Sequence, residues 1–193
     1  MMYYSDGAHT EGHILAQYCP NSIFVETGTC LGRTVEFVLR HGAREVRSVE
    51  GSKDRYATCK NMFSSDLRVK LWCGHSKDTL WEMINVVDEE MVFFLDAHPS
   101  GPDSYGDKEL SQGMGEFYGQ HSVLTAEIDI IGKHPVKTHT IIIDDQHTTE
   151  SGLAVQELYK SQILTINSKY GFKLERKYNG EKTACCLIAT VSA

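Results

Sequence analysis

Short apolar runs rich in branched and aromatic residues alternate with helix-spaced stretches along most of this chain, and that alternation restricts the fold more than any other feature. The runs are "SIFVETG" (Ser22–Gly28), "EVRSVEGS" (Glu45–Ser52), "RVKLWCG" (Arg68–Gly74), "MVFFLDAH" (Met91–His98) and "HTIIIDD" (His139–Asp145). After the first, "TVEFVLRHG" sets Val35, Val38 and Leu39 on one helical face, and His41-Gly42 closes it. "KDRYATCKNMF", "SKDTLWEMI", a stretch near "SVLTAEIDIIGKH" and "SGLAVQELYKSQILTINSKYG", ended by Gly171, supply the later helices. Strands alternating with helices at this spacing predict an α/β fold, a parallel sheet covered on both faces.

The last segment departs from the alternation. "GFKLERKYNGEKTACCLIATV" reads as two strands joined through Asn179-Gly180, a strong hairpin signal. "FKLERKY" alternates apolar with charged residues, as a solvated edge does, whereas "ACCLIATV" is nearly continuous and needs cover on both faces. The last strand is therefore expected between the fifth and sixth. The predicted order is 3-2-1-4-5-7-6, with strand seven antiparallel.

A chain of 193 residues predicts one domain, 1–193, able to bury roughly 70 % of its unfolded surface. Hydrophobic content of 41 % and charge of 23 % are those of a folded, non-membrane chain, and no apolar run reaches the roughly 20 residues of a membrane span. Six scattered cysteines form no C-x-x-C pair, "MMYYSDGAHT" does not read as an export signal, and a reduced, cytoplasmic setting is the expectation. The cysteines read as buried small hydrophobes. A net charge of −7 argues against a nucleic-acid partner and favours a small molecule. The charged edge strand does not invite sheet-to-sheet pairing, and a homodimer stays open.

Ligands of an open parallel sheet sit beyond the carboxyl ends of the strands where strand order reverses, here between strands one and four. Glu26, Gly28, Thr29 and Gly32 lie there. Gly28 permits a tight turn, and Gly32 lets the next helix pack close and aim its free N–H groups at a ligand. Read alone, "ETGTCLG" is also a plain strand-to-helix turn. A nicotinamide-type G-x-G-x-x-G is disfavoured, because Cys30 and Arg33 stand where the second and third glycines belong.

Together these residues and the reversed last strand resemble the class I S-adenosylmethionine-dependent methyltransferases, over almost the whole chain. The resemblance implies that Glu26 sits near the methionine part of the cofactor. Glu50, with Gly51 after it, is expected to bridge the two ribose hydroxyls. "CGHSKDTL" is similar to the stretch that borders the adenine, with His75 in place of the usual acid and Ser76 after it; Ser76 also suits a helix N-cap.

Strands four and five are predicted neighbours, about 4.8 Å apart, and both end in carboxylates, so Asp96 should meet Asp144 and Asp145. Three convergent carboxylates repel one another unless protonated or neutralised, and hard oxygen ligands suit Mg2+ or calcium. The set resembles that of metal-dependent small-molecule O-methyltransferases, in which the ion binds the acceptor hydroxyls and lowers their pKa. Otherwise Asp144 and Asp145 cap the next helix, and Asp96 only hydrogen-bonds cofactor or substrate. His98 and His147, each two residues past a carboxylate, are candidate general bases. Residues 99–120, with five glycines, Tyr105, Phe117 and Tyr118, read as an acceptor-binding loop.

The expected reaction is in-line transfer of a methyl group from S-adenosylmethionine to an oxygen, or less readily a nitrogen, of a small-molecule acceptor, with Asp96 near the transferred methyl and His98 assisting deprotonation. Two rivals remain: a metal-dependent hydrolase built on Asp96, His98, Asp144, Asp145 and His147, and a non-catalytic adenosyl-binding module. The hydrolase leaves Glu26, the two glycines and Glu50 without a role.

Overall fold

The structure, a computed structural model, describes residues 11–97, 123–177 and 184–192. In chain order its elements are α1 (Gly12–Tyr18), β1 (Ile23–Thr27), α2 (Arg33–Arg40), β2 (Glu45–Glu50), α3 (Lys53–Met62), β3 (Val69–Cys73), α4 (Ser76–Ile84), β4 (Met91–Leu95), α5 (Val123–Lys133), β5 (Thr140–His147), α6 (Glu150–Ile166), β6 (Tyr170–Arg176) and β7 (Ala184–Val191). The strands form one sheet in the order β3-β2-β1-β4-β5-β7-β6. β7 runs antiparallel to β5 and β6, and the other pairs are parallel, as the apolar pattern predicts.

Because successive side chains of a strand face opposite ways, each central strand feeds two cores. Met91, Phe93 and Leu95 of β4 pack with Leu80, Met83, Ile128, Ile131, Tyr159 and Ile163, which puts α4, α5 and α6 on one face. Val92 and Phe94 turn the other way, into Ile14, Leu15, Val35, Val38 and Leu39 of α1 and α2. β7 behaves alike, sending Leu187 and Ala189 to the first core and Cys186 and Ile188 to the second. That two-sided burial is why its sequence is apolar without alternation.

Several expectations need correction. The sequence pattern does not announce α1, whose short apolar stripe gives little signal. α6 stops at Ile166 rather than near Gly171. Asn167 ends it, accepting Lys169 N–H on Oδ1 at 3.0 Å and donating from Nδ2 to the Lys137 carbonyl at 3.2 Å. Gly171 lies inside β6, opposite Thr190. Four of the six cysteines are buried, but Cys30 in the glycine turn and Cys73 on the edge strand β3 are exposed; all six are unpaired. The Asn179-Gly180 turn, His98 and the 99–120 loop lie outside the described residues. Among the described residues no helix is long and apolar enough to cross a membrane.

At the amino edge of the sheet two histidines replace apolar packing with a closed polar chain. Met91 N–H donates to Nδ1 of His139 at 3.1 Å, so His139 Nε2 carries the hydrogen and donates to Nδ1 of His134 at 3.0 Å. His134 Nε2 then donates to the Val87 carbonyl at 2.8 Å. Both rings are fully buried and neutral in this scheme. Burial first, then His134 and Lys137, push the His139 pKa down to about 4. The unfolded ring titrates near 6.5, so its contribution to stability is complete above that pH and is lost as pH falls toward 4. Nuclear magnetic resonance should find the His139 ring unprotonated at pH 5.5, with the melting temperature falling between pH 6.5 and 4; a His139 midpoint near 6.5 would contradict this chain.

Candidate functional site

The carboxyl tips of β1, β2 and β4 are laced together by backbone. Gly28 and Thr29 N–H both donate to the Val49 carbonyl, at 2.9 and 3.1 Å, and Asp96 N–H donates to the Thr27 carbonyl at 3.2 Å. Gly28 leaves β1 with φ of 92°, and a Cβ there would lie 2.9 Å from the Asp96 carbonyl oxygen. Gly32 caps α2 with φ of 73°, and a Cβ there would lie 2.7 Å from the Phe63 ring. Gly28 is thus favoured by handedness and by space against backbone, and Gly32 chiefly by handedness.

Around this turn the predicted acids converge. Glu26 is buried, and its Oε2 accepts from Ser48 Oγ at 2.5 Å. Thr29 Oγ1 lies 2.6 Å from Ser48 Oγ, so with Glu26 ionised Thr29 donates onward through Ser48. Burial, helped by the charges of Asp96 and Glu50 and opposed by the Ser48 and Thr34 hydroxyls, raises the Glu26 pKa to about 8. Asp96 and Glu50 thus lie close enough to Glu26 for their charges to act on it. Glu50 is buried too; Oε2 accepts Cys30 N–H at 2.6 Å and Oε1 accepts Ser52 N–H at 2.8 Å. The N–H groups aim the carboxylate and leave each oxygen a second lone pair. Gly51 is the half-buried link between Glu50 and Ser52, the N-cap of α3.

The third strand tip differs in detail. The N-cap of α4 is His75, half-buried, with its pKa lowered by burial and then by Lys77. Ser76 is not the cap: it is the first residue of α4, buried beside Glu127. Glu127, on α5, was not anticipated. It is fully buried, and burial, reinforced by Asp96, raises its pKa to about 8 although the Ser76 and Thr27 hydroxyls oppose this. Its spacing three after Leu124 and four before Ile131 puts a carboxylate on the apolar stripe of α5, and that was the available signal.

Asp96, Asp144 and Asp145 do meet, each offering an oxygen within 4.8 Å of the others. Adjacent residues of a regular strand cannot point one way, and β5 solves this with a bulge. Asp144 and Asp145 together oppose one residue of β7, and Asp145 takes a left-handed φ of 51°. Seated against this pair is a residue that the sequence reading left on the solvated edge. Lys177 Nζ lies 3.0 Å from Asp144 Oδ2, 2.8 Å from Asp145 Oδ1 and 2.8 Å from Glu11 Oε1. Burial disfavours its ammonium, yet Asp144, Asp145 and Glu11 outweigh that and raise its pKa. Burial, Asp96 and Glu11 raise the Asp144 pKa, with Lys177 pulling the other way. His147 is not part of the carboxylate cluster; its carbonyl accepts from Nε2 of Gln156, within α6, at 2.9 Å.

No protein-family model matches the chain, and no curated protein matches it in sequence. Solved structures share its fold. It is similar to the O-methyltransferase TomG from Streptomyces achromogenes, solved with S-adenosylmethionine, at a TM-score of 0.58 and 13% identity, covering 99% of this chain and 82% of that one. The 23S rRNA methyltransferase ErmE gives 0.59 at 12% identity, with 100% and 70% covered. Spermidine synthase from Thermotoga maritima gives 0.58 at 11%, with 92% of this chain covering 56% of that one. At such identities the likeness is one of fold, a Rossmann-like α/β sheet.

Replacing Gly28 by Ala should strain the turn and push the β1 and β4 tips apart, lowering stability by about 1–3 kcal/mol in chemical denaturation. An unchanged denaturation midpoint would mean that the close approach of Gly28 to Asp96 is not needed.

Proposed function

We propose that this chain is an S-adenosylmethionine-dependent methyltransferase acting on an oxygen of a small-molecule acceptor. The observation that carries the reading is the gathering of Glu26, Glu50 and Asp96 around the Gly28–Gly32 turn, on the sheet edge where strand order reverses. The donor set fits the cofactor. Glu50, aimed by two backbone N–H groups, keeps lone pairs for a ribose diol, and Glu26 is a buried acid suited to the amino-acid end, with Gly28, Thr29 and Gly32 shaping the turn. Gly51, His75 and Ser76 would border the rest of the nucleoside.

When bound, the cofactor supplies an activated methyl on a sulfonium. This chain's residues then have to align an acceptor, exclude water and take up its proton. Asp96, at the tip of β4 between the cofactor turn and the Asp144–Asp145 bulge, is the residue we place beside the transferred methyl, with His98, two residues further on, as the candidate base. The net charge of −7 favours a small acceptor over a nucleic-acid backbone. A metal-dependent hydrolase is less well supported, because His147 stands apart from the carboxylates and the Glu26–Glu50 arrangement would have no use.

Glu50→Ala should abolish binding of S-adenosylhomocysteine in calorimetry. Two hydrogen bonds to a charged group, at about 1.5–3 kcal/mol each, amount to a hundredfold or more. Unchanged affinity would remove Glu50 from the pocket. Glu26, largely protonated below about pH 8 in the free protein, must ionise to meet the cofactor's ammonium, so binding releases a proton. Affinity should therefore rise several-fold from pH 7 to 8 and level off above, and Glu26→Gln should flatten the rise. A flat profile in the unaltered protein would contradict the role given to Glu26.

A further inference from the structure

We propose that Lys177 is a built-in cation that takes the place of a divalent metal, so that the Asp96–Asp144–Asp145 cluster works without one. An ammonium has three protons, and Lys177 has three carboxylate partners: Glu11, Asp144 and Asp145. It is only 8 % exposed, and Asp144 only 5 %. Both oxygens of Asp144 are engaged, Oδ2 by Lys177 and Oδ1 by the Cys186 thiol at 3.1 Å. A magnesium ion bound about 2 Å from these oxygens would face the ammonium at close range, like charge against like in a site shielded from water. The donor set therefore does not fit a resident divalent ion, although its geometry in isolation resembles one.

The fold delivers Lys177 deliberately. Its N–H donates to the Ala184 carbonyl at 3.1 Å, one step beyond the end of β6, and its side chain reaches past β7 to the bulge of β5. There it holds Asp145 in its left-handed conformation and ties down Glu11, the N-cap of α1. Lys177 is thus a positioning residue that sets Asp144 and Asp145 beside Asp96. Its bearing on an acceptor rests on the methyltransferase reading; the exclusion of metal does not.

The test is manganese binding to the full chain, followed by electron paramagnetic resonance, in the unaltered protein, Lys177→Met and Asp145→Asn, with S-adenosylhomocysteine affinity measured with and without a chelator. Expected are no saturable Mn2+ site in the unaltered protein up to millimolar ion, at least tenfold tighter binding in Lys177→Met, and S-adenosylhomocysteine affinity within twofold whether or not chelator is present. Equal Mn2+ affinity in the unaltered and Lys177→Met proteins overturns the proposal. So does a micromolar site in the unaltered protein that Asp145→Asn removes, and this comparison decides the matter if Lys177→Met fails to fold. Absence of S-adenosylhomocysteine binding would sink the methyltransferase reading while the manganese result still judged Lys177.

Discussion

The pairing of β1 with β4 is the constraint on which the rest of this structure depends. These strands are far apart in sequence and lie side by side, with β2 outside one and β5 outside the other. The crossovers leave in opposite directions and so open a crevice above the carboxyl tips. Nothing bulky can stand at its floor, since the Gly28 Cα faces the Asp96 carbonyl without room for a methyl group. Glu26, Glu50, Asp96, Asp144 and Asp145 reach this edge because strands ending there deliver them.

Gathering carboxylates in a partly buried place is unfavourable, and the chain answers it in two ways. Around the turn, Glu26 and Glu127 are pushed toward the neutral acid, their hydroxyl neighbours only partly restoring the charge. At the β5 bulge the charge is met by an ammonium from the neighbouring hairpin. The first solution leaves acids that ionise readily when a cation arrives, as a binding pocket for a sulfonium and an ammonium requires. The second leaves Asp144 and Asp145 already engaged by a cation, as a frame rather than a receptor.

Most of the fold was legible because periodicity survives burial. β4 and β7 read as two-sided strands, α2 as a one-sided helix, and the strand order followed. The positions of the turn acids were legible for the same reason, since they depend on where a strand ends. What escaped depends on contacts distant in sequence. Lys177 continues the alternation of "FKLERKY" and looks solvated, and only the three-dimensional neighbours Glu11, Asp144 and Asp145 show otherwise. Asp144 and Asp145 share a cluster through a bulge that no local pattern announces. Glu127 did carry a signal, a charge on an apolar stripe, but its partners Ser76 and Thr27 come from the start of α4 and the tip of β1. α1 has one short turn of apolar residues, too little for periodicity to speak.

The central claim is that one crevice at the tips of β1, β2 and β3, beside β4, receives an adenosyl ligand. Amide hydrogen exchange of the whole protein with and without S-adenosylhomocysteine tests it most directly. The account predicts slowed exchange confined to residues 26–32, 49–52 and 74–78 and to the segment following Leu95. Protection at the amino edge of the sheet instead, or no change at saturating ligand, would contradict it.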